Sequence, residues 1–197
     1  MKSLAIGRLV LCGGFALSAL VAAPAVALEY GTVQLGKSSI RFVARQMGVP
    51  TDGHFSRFGA QLAFDPAKPE SGRARIEVDL ASIDVGGAEA NEEVKSKSWF
   101  NIKETPAATF VSSQLRALGS GRYEAVGRMS IKGRTQEIVA PFTAKQEGAN
   151  MVLDGSIPIR RLQYGIGEGM WSDVSVVADE VQVNFRFVLS PSAGSKK

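Results

Sequence analysis

An all-β fold with one short helix is predicted, its strands antiparallel and its apolar faces turned toward each other, and three observations predict it. Apolar and polar residues alternate with period two in one segment after another, which puts the apolar side chains on a single face of each strand. Turn-formers separate these segments at short intervals, as at Asp65-Pro66, Gly119-Ser120-Gly121, Gly133 and Gly148. Only one stretch carries the charge layout of a helix.

The chain has 197 residues, and its first 27 differ from the rest. "MKSLAIGRLVLCGGFALSALVAAPAVA" has Lys2 and Arg8 near its start, an apolar run from Leu9 to Ala23, and a small-x-small site at Ala25-Val26-Ala27. That is the layout of a cleavable secretory signal peptide. The run is interrupted at Gly13 and Gly14, ends at Pro24, and is short for a membrane span of about 20 apolar residues. Cleavage after Ala27 is expected, leaving a soluble exported chain with no membrane-spanning segment. Cys12, the single cysteine, lies in this leader behind Leu11, where a lipoprotein would need a small residue. The mature chain would then carry no thiol, which excludes disulfides, thiolate catalysis and cysteine-ligated metals. The folded domain is expected over residues 28–190, with "PSAGSKK" (191–197) as a disordered tail.

The strands follow in order. "EYGTVQL" opens. In "SIRFVARQ", Ile40, Phe42 and Ala44 share one face and Arg41 and Arg45 the other. "AQLAFD" is weaker, whereas "ARIEVDL" sets Ile76, Val78 and Leu80 against Arg75, Glu77 and Asp79. After the helical stretch come "ATFVSSQLRAL", "RYEAVGRMSIKG", "QEIVAPFTAK", "MVLDGSIPI" and "EVQVNFRFVL", the last with Val181, Val183, Phe185 and Phe187 on one face. This gives eight or nine strands in a largely antiparallel meander. "GAEANEEVKSKSWF" places Glu89, Glu92 and Glu93 early and Lys95 and Lys97 late, which complements a helix dipole. A helix is expected from about Ala88 to Ser98, with Trp99 and Phe100 as anchors.

One helix cannot cover so many one-sided strands, so their apolar faces close into a barrel or stack as two sheets. Small residues such as Ala44, Ala74, Ala125, Gly127, Ala140, Ala144 and Gly155 interrupt those faces. In a barrel of about eight strands they would leave room for one small apolar ligand.

Conventional catalytic motifs are scarce. His54 is the single histidine, and no serine sits in a G-x-S-x-G elbow to partner it. A zinc site would have to rest on His54 and carboxylates alone, and "YGIGEGMW" lacks the lysine of a phosphate loop. No metal and no cofactor is expected. Of 23 basic residues, Lys2 and Arg8 belong to the leader, and the rest are dispersed among 19 acidic ones, so nucleic acid is not an expected partner.

The motifs match a family in order along the mature chain. "FVARQMGVPTDGHFSRFGAQLAFDP", "EVDLASIDVG", "SWFNIKETPAATFVSS", "GRYEAVGRMSIKG" and "VADEVQVNFRF" carry the match, which runs from about Glu29 to Leu189. The chain resembles the YceI-like family of bacterial periplasmic polyisoprenoid-binding proteins, whose fold is lipocalin-like. The resemblance implies an antiparallel eight-stranded lipocalin-like β-barrel with an apolar central tunnel, holding one long isoprenoid chain, a quinone-like molecule or a fatty amide without catalysis. It also implies a periplasmic location. Beside the lipid, the partners considered are a membrane surface or a membrane protein in transient contact. Candidate wall residues are Phe42, Phe55, Phe58, Trp99, Phe100, Phe110, Met129, Tyr164 and Trp171. Trp99 stands where phenylalanine is common in the family, and Gln163-Tyr164 replaces an acidic-Phe pair. Beside the carrier stand two other readings, an enzyme on a lipid-like substrate using His54 and a secreted β-sandwich for protein contacts. His54 itself is expected on the surface.

Overall fold

Each alternating segment forms a strand in the computed structural model, which describes residues 29–192. The expected leader with its cleavage point, and the last five residues of the expected tail, lie outside the described residues. The strands are β1 (Tyr30–Val33), β2 (Ser39–Gln46), β3 (Val49–Phe55), β4 (Phe58–Ala63), β5 (Arg73–Asp79), β6 (Ile83–Asp84), β7 (Ala107–Gly119), β8 (Arg122–Ile131), β9 (Arg134–Glu147), β10 (Asn150–Arg160) and β11 (Glu180–Pro191). The helix, α1, spans Ala88–Lys95.

All eleven strands belong to one antiparallel sheet in the order β4-β5-β7-β8-β9-β10-β11-β2-β3-β6, with β1 beside β11. β4, at one end of that order, and β3, next to last at the other, are consecutive in the chain, separated by Ser56 and Arg57 alone. They act as one bent strand: its upper half pairs with β2 and its lower half with β5. Counted so, eight strands encircle the axis, and the sheet is a curled barrel rather than a two-sheet sandwich. Two short segments cover the edges that the bend exposes. β6 lies against β3, and Ser82 meets the bend itself, accepting from Ser56 N at 3.2 Å and, through its hydroxyl, from Arg57 N at 3.0 Å. β1 bridges β11 to the far end of β4 through reciprocal Tyr30–Phe64 backbone bonds of 2.8 and 2.9 Å.

The expected eight or nine strands become eleven because two carry no alternation. β3, "VPTDGHF", contains Pro50 and Gly53, which read as turn-formers, and β6 is two residues long. What specifies β3 is its turn: Met47 and Gly48 both adopt positive φ, 48° and 80°, the two-residue hairpin geometry that matches strand twist. The helix is three residues shorter than expected. After Lys95 the chain turns extended at Ser96, then folds back through bonds from Phe100 N to Val94 O and Ile102 N to Lys95 O, which lays Trp99 and Phe100 on the barrel. Pro191, expected in the tail, closes β11 opposite Tyr30.

The end of the barrel away from the β2–β3 turn is packed shut. Phe64, 1% exposed, meets the ring of Tyr123 edge-on at 5.1 Å and that of Phe142 at 5.9 Å, while Tyr123 and Phe142 stack at 5.5 Å. Tyr30 and Leu189 seal the same floor. Truncating a ring so enclosed costs about 3–5 kcal/mol, so this end carries much of the stability.

Candidate ligand cavity

Inside the barrel lies a cavity of about 920 Å³, at the upper end of the range for small-molecule sites. Its wall is the apolar face of the period-two pattern. Along β11, Val181, Val183, Phe185 and Phe187 face inward and line it, while Arg186 faces out to Asp154 at 2.7 Å and Glu147 at 3.5 Å. Phe42, Phe55, Phe110 and Met129 are only half-buried despite lying inside the barrel, because the open space beside them is the cavity itself. Water could fill the space only by leaving most of its hydrogen bonds unmet against such a wall, and molecules on the order of tens would be needed. An apolar occupant removes that penalty.

The space stays open because large rings are pressed flat onto glycines of neighbouring strands. Gly53 stands opposite Phe42 and Gly155 opposite Phe185 in the ladders, and a Cβ at either glycine would collide with the ring. A Cβ at Gly127 would come within 2.8 Å of the Phe110 ring. Aromatic rings covering strand glycines restore the packing that glycine lacks. Here they also keep aromatic bulk in the wall and out of the lumen.

The mouth lies at the end bearing the β2–β3 turn, beneath α1 and the loop between β10 and β11. Glu89, Ala90, Glu93 and Val94 of α1 line it, with Trp99, Trp171, Arg45 and Gln46. Apart from Arg73 and Thr109, the charged and hydrogen-bonding side chains of the lining gather at this upper end. The β10–β11 loop is organised from within by Arg161, which is 1% exposed. Its guanidinium donates to the carbonyls of Ile166 and Gly167, both at 2.8 Å, of Trp171 and Val177, both at 2.7 Å, and of Ala178 at 3.1 Å. Desolvation lowers the pKa of Arg161, and the nearby Asp179 carboxylate acts against that shift. The guanidinium also lies 5.9 Å from the Trp99 ring, in cation–π range. Trp99 packs on Trp171 at 5.6 Å, and the Trp171 indole donates to Glu93 at 2.9 Å, tying loop to helix. Glu168 fastens the loop to the β8–β9 turn through Lys132 at 3.0 Å and Arg134 at 2.7 Å. The hydrogen bond from Lys132 is the main reason its carboxyl sits below the ordinary range.

Of the nine residues expected in the wall, Phe42, Phe55, Trp99, Phe100, Phe110, Met129 and Trp171 line the cavity. Phe58 and Tyr164 are not among the lining residues. Phe58 is spent against Phe187, edge-on at 6.1 Å, and Tyr164 is 1% exposed within the loop, where burial pushes its hydroxyl pKa up. The expectation passed over Ile40, Ile76, Val181, Val183 and Phe185, all in the lining. Their signal was present, since each occupies the apolar face of an alternating strand. His54 is exposed on the outer face of β3, opposite Arg41 on one side and Asp84 on the other, and does not line the cavity. Arg45, read as pointing outward, is exposed but borders the mouth.

Comparison with known proteins gives a consistent identity. The YceI-like domain model matches residues 32–189. The UPF0312 protein of Ectopseudomonas mendocina is 27% identical over 124 residues, 62% of this chain and 65% of the relative. That of Azotobacter vinelandii is 31% identical over 87 residues, 44% of this chain and 45% of the relative. These alignments thus span less than two thirds of either relative. Among solved structures, BcnA of Burkholderia cenocepacia superposes with a TM-score of 0.78 at 44% identity, covering 79% of this chain and 98% of that one. The YceI protein of Campylobacter jejuni gives 0.64 at 17% identity, covering 71% and 84%. A Saccharophagus degradans domain described as polyisoprenoid-binding and implicated in plant cell wall breakdown gives 0.64 at 14% identity, covering 84% and 99%, a likeness of fold. With the family model spanning nearly the whole described barrel, the chain belongs to the YceI-like family.

Proposed function

We propose that this protein is a non-enzymatic carrier that holds one long apolar lipid, a polyisoprenoid, a quinone-like molecule or a fatty amide, inside its barrel for transport, storage or scavenging in the periplasm. The observation that carries the reading is the cavity of about 920 Å³ whose deep wall is apolar and whose rings lie flat on facing glycines. Affinity then comes from burying apolar surface, about 0.8 kcal/mol per methylene, and grows with chain length without directed polar contacts. The closed floor at Phe64, Tyr123 and Phe142 and the polar mouth under α1 support a tail-down arrangement, with the head group at the mouth. The leader-like residues 1–27 support export, and the polyisoprenoid-binding description of the Saccharophagus domain is in keeping with the cargo.

The test is direct. The protein purified from its native compartment is extracted with organic solvent and the extract analysed by mass spectrometry. A stoichiometric long-chain lipid is expected. Protein that emerges empty and takes up no added prenyl lipid overturns the reading.

A further inference from the structure

Eight large apolar side chains are strongly exposed among the described residues, and four of them, Met47, Val49, Met170 and Val174, belong to the two segments that meet at the mouth. Met47 is the first residue of the β2–β3 turn and Val49 follows it, while Met170 and Val174 lie on the β10–β11 loop. The segments are stitched together: Met47 N donates to Val176 O at 2.8 Å, Ala178 N to Arg45 O at 2.9 Å, and Gln46 bridges Val177.

Folding does not account for these side chains. Met47 is 70% exposed and holds φ at 48°, where asparagine or glycine would suit the hairpin turn better. Met170 is 83% exposed although its neighbour Trp171 lines the cavity. Val174 is held out at the tip of a turn built by Asp173, whose carboxylate accepts from Ser175 N at 2.8 Å and from the Ser175 hydroxyl at 2.7 Å. Beneath, Arg161 fixes the loop through Ile166, Gly167, Trp171 and Val177. The apolar tips are therefore presented on a rigid rim.

We propose that this rim is a docking surface for a bilayer of zwitterionic lipid, against which the cavity mouth opens so that cargo passes between membrane and barrel without crossing water. The inference rests on the carrier reading. The occupant follows from what surrounds the tips. They are continuous with the mouth of an apolar cavity, so the partner is one from which an apolar chain can be drawn. The exposed charges nearby include Asp52, Glu89, Glu93 and Asp173 against Arg45 and Lys97, a balance that does not favour an anionic surface. Contact is peripheral, since among the described residues no helix is long and apolar enough to cross a membrane. The barrel also turns its apolar face inward, the reverse of a membrane-spanning barrel. Exposed methionines suit a soft, disordered partner.

The experiment is flotation with phosphatidylcholine vesicles, comparing the wild type with Met47→Asn combined with Met170→Gln. Asparagine suits the positive φ of the turn, so the variant keeps its fold, verified by near-ultraviolet circular dichroism. The wild type is expected to float, the bound fraction to fall on the order of tenfold or more in the variant, and phosphatidylglycerol in the vesicles to bring no gain. Equal flotation of wild type and variant, no flotation of either, or a wild type that dimerises through these side chains and stays in solution overturns the docking surface. Uptake of geranylgeraniol is measured in parallel from vesicles and from dilute ethanol. Slower uptake from vesicles alone in the variant supports docking, and equal rates from vesicles count against it. Failure of the wild type to take up geranylgeraniol from ethanol sinks the carrier reading, whereas the flotation result bears on the rim alone.

Discussion

The ring of Phe42 lies across the backbone of Gly53 on the neighbouring strand, where any Cβ would collide with it. The three heavy atoms nearest to that Cβ position all belong to the Phe42 ring. Gly53→Ala is therefore expected to swing the Phe42 ring off the wall. The ring then enters the lumen, and the variant is expected to carry less lipid than the wild type when extracts are compared by mass spectrometry. The stability loss should be about 1–3 kcal/mol, the usual cost of overpacking, read from urea unfolding.

Arg161 is a buried cation satisfied by five carbonyl bonds and no contacting carboxylate. Arg161→Met leaves those carbonyls without their donor. Each buried carbonyl left without a partner costs about 1–3 kcal/mol, so a loss of several kcal/mol is expected. Hydrogen exchange should show the loosening concentrated in residues 162–178, and an unchanged exchange pattern would refute the clamp.

Glu168 gives stability a pH dependence. Its pKa is lowered, first by the Lys132 hydrogen bond, so its contribution is present in full above the ordinary glutamate value of 4.5 and is lost as pH falls through the depressed folded-state value. Melting temperatures measured downward from neutral pH should begin to drop below about pH 5. In Glu168→Gln the part of that drop due to this carboxylate should vanish.

Both tryptophans of the chain, Trp99 and Trp171, line the cavity. Their emission is expected to change when geranylgeraniol is titrated into delipidated protein. Trp99→Phe should lose part of that signal at little cost in stability, because the buried Trp99 indole N–H finds no acceptor among the described residues, and removing a buried unpaired donor relieves about 1–3 kcal/mol. Titration without a fluorescence change would count against the occupancy of the upper cavity.

His54→Ala is expected to leave lipid content and uptake unchanged, since the imidazole is exposed on the outer face of β3. A loss of uptake in that variant would bring the histidine back into the function.

The barrel wall was legible because a strand between water and an apolar interior must alternate. Ile76 and Val78 against Arg75 and Glu77, or Val183 and Phe185 against Gln182 and Arg186, state their own orientation. The same alternation contained most of the cavity wall, although aromatic residues drew attention from Val181 and Ile40. β3 was illegible because its strand is specified by a turn at Met47-Gly48 and by partners on both sides. Phe58 and Tyr164 were misjudged for a related reason: an inward or loop aromatic does not announce whether its face meets a cavity or another side chain, here Phe187 for Phe58.

Period and composition thus carry the class of fold and which face of each strand is dry, since these depend on neighbours one or two residues away. Whether the dry faces would meet as a solid core or enclose a space depended on groups far apart in the chain. Phe42 opposite Gly53, Phe185 opposite Gly155, a bend at Ser56-Arg57 that gives one strand two partners, and Arg161 drawing five carbonyls around itself are pairings of that kind. Chain closure brings them together, and local preference encodes none of them.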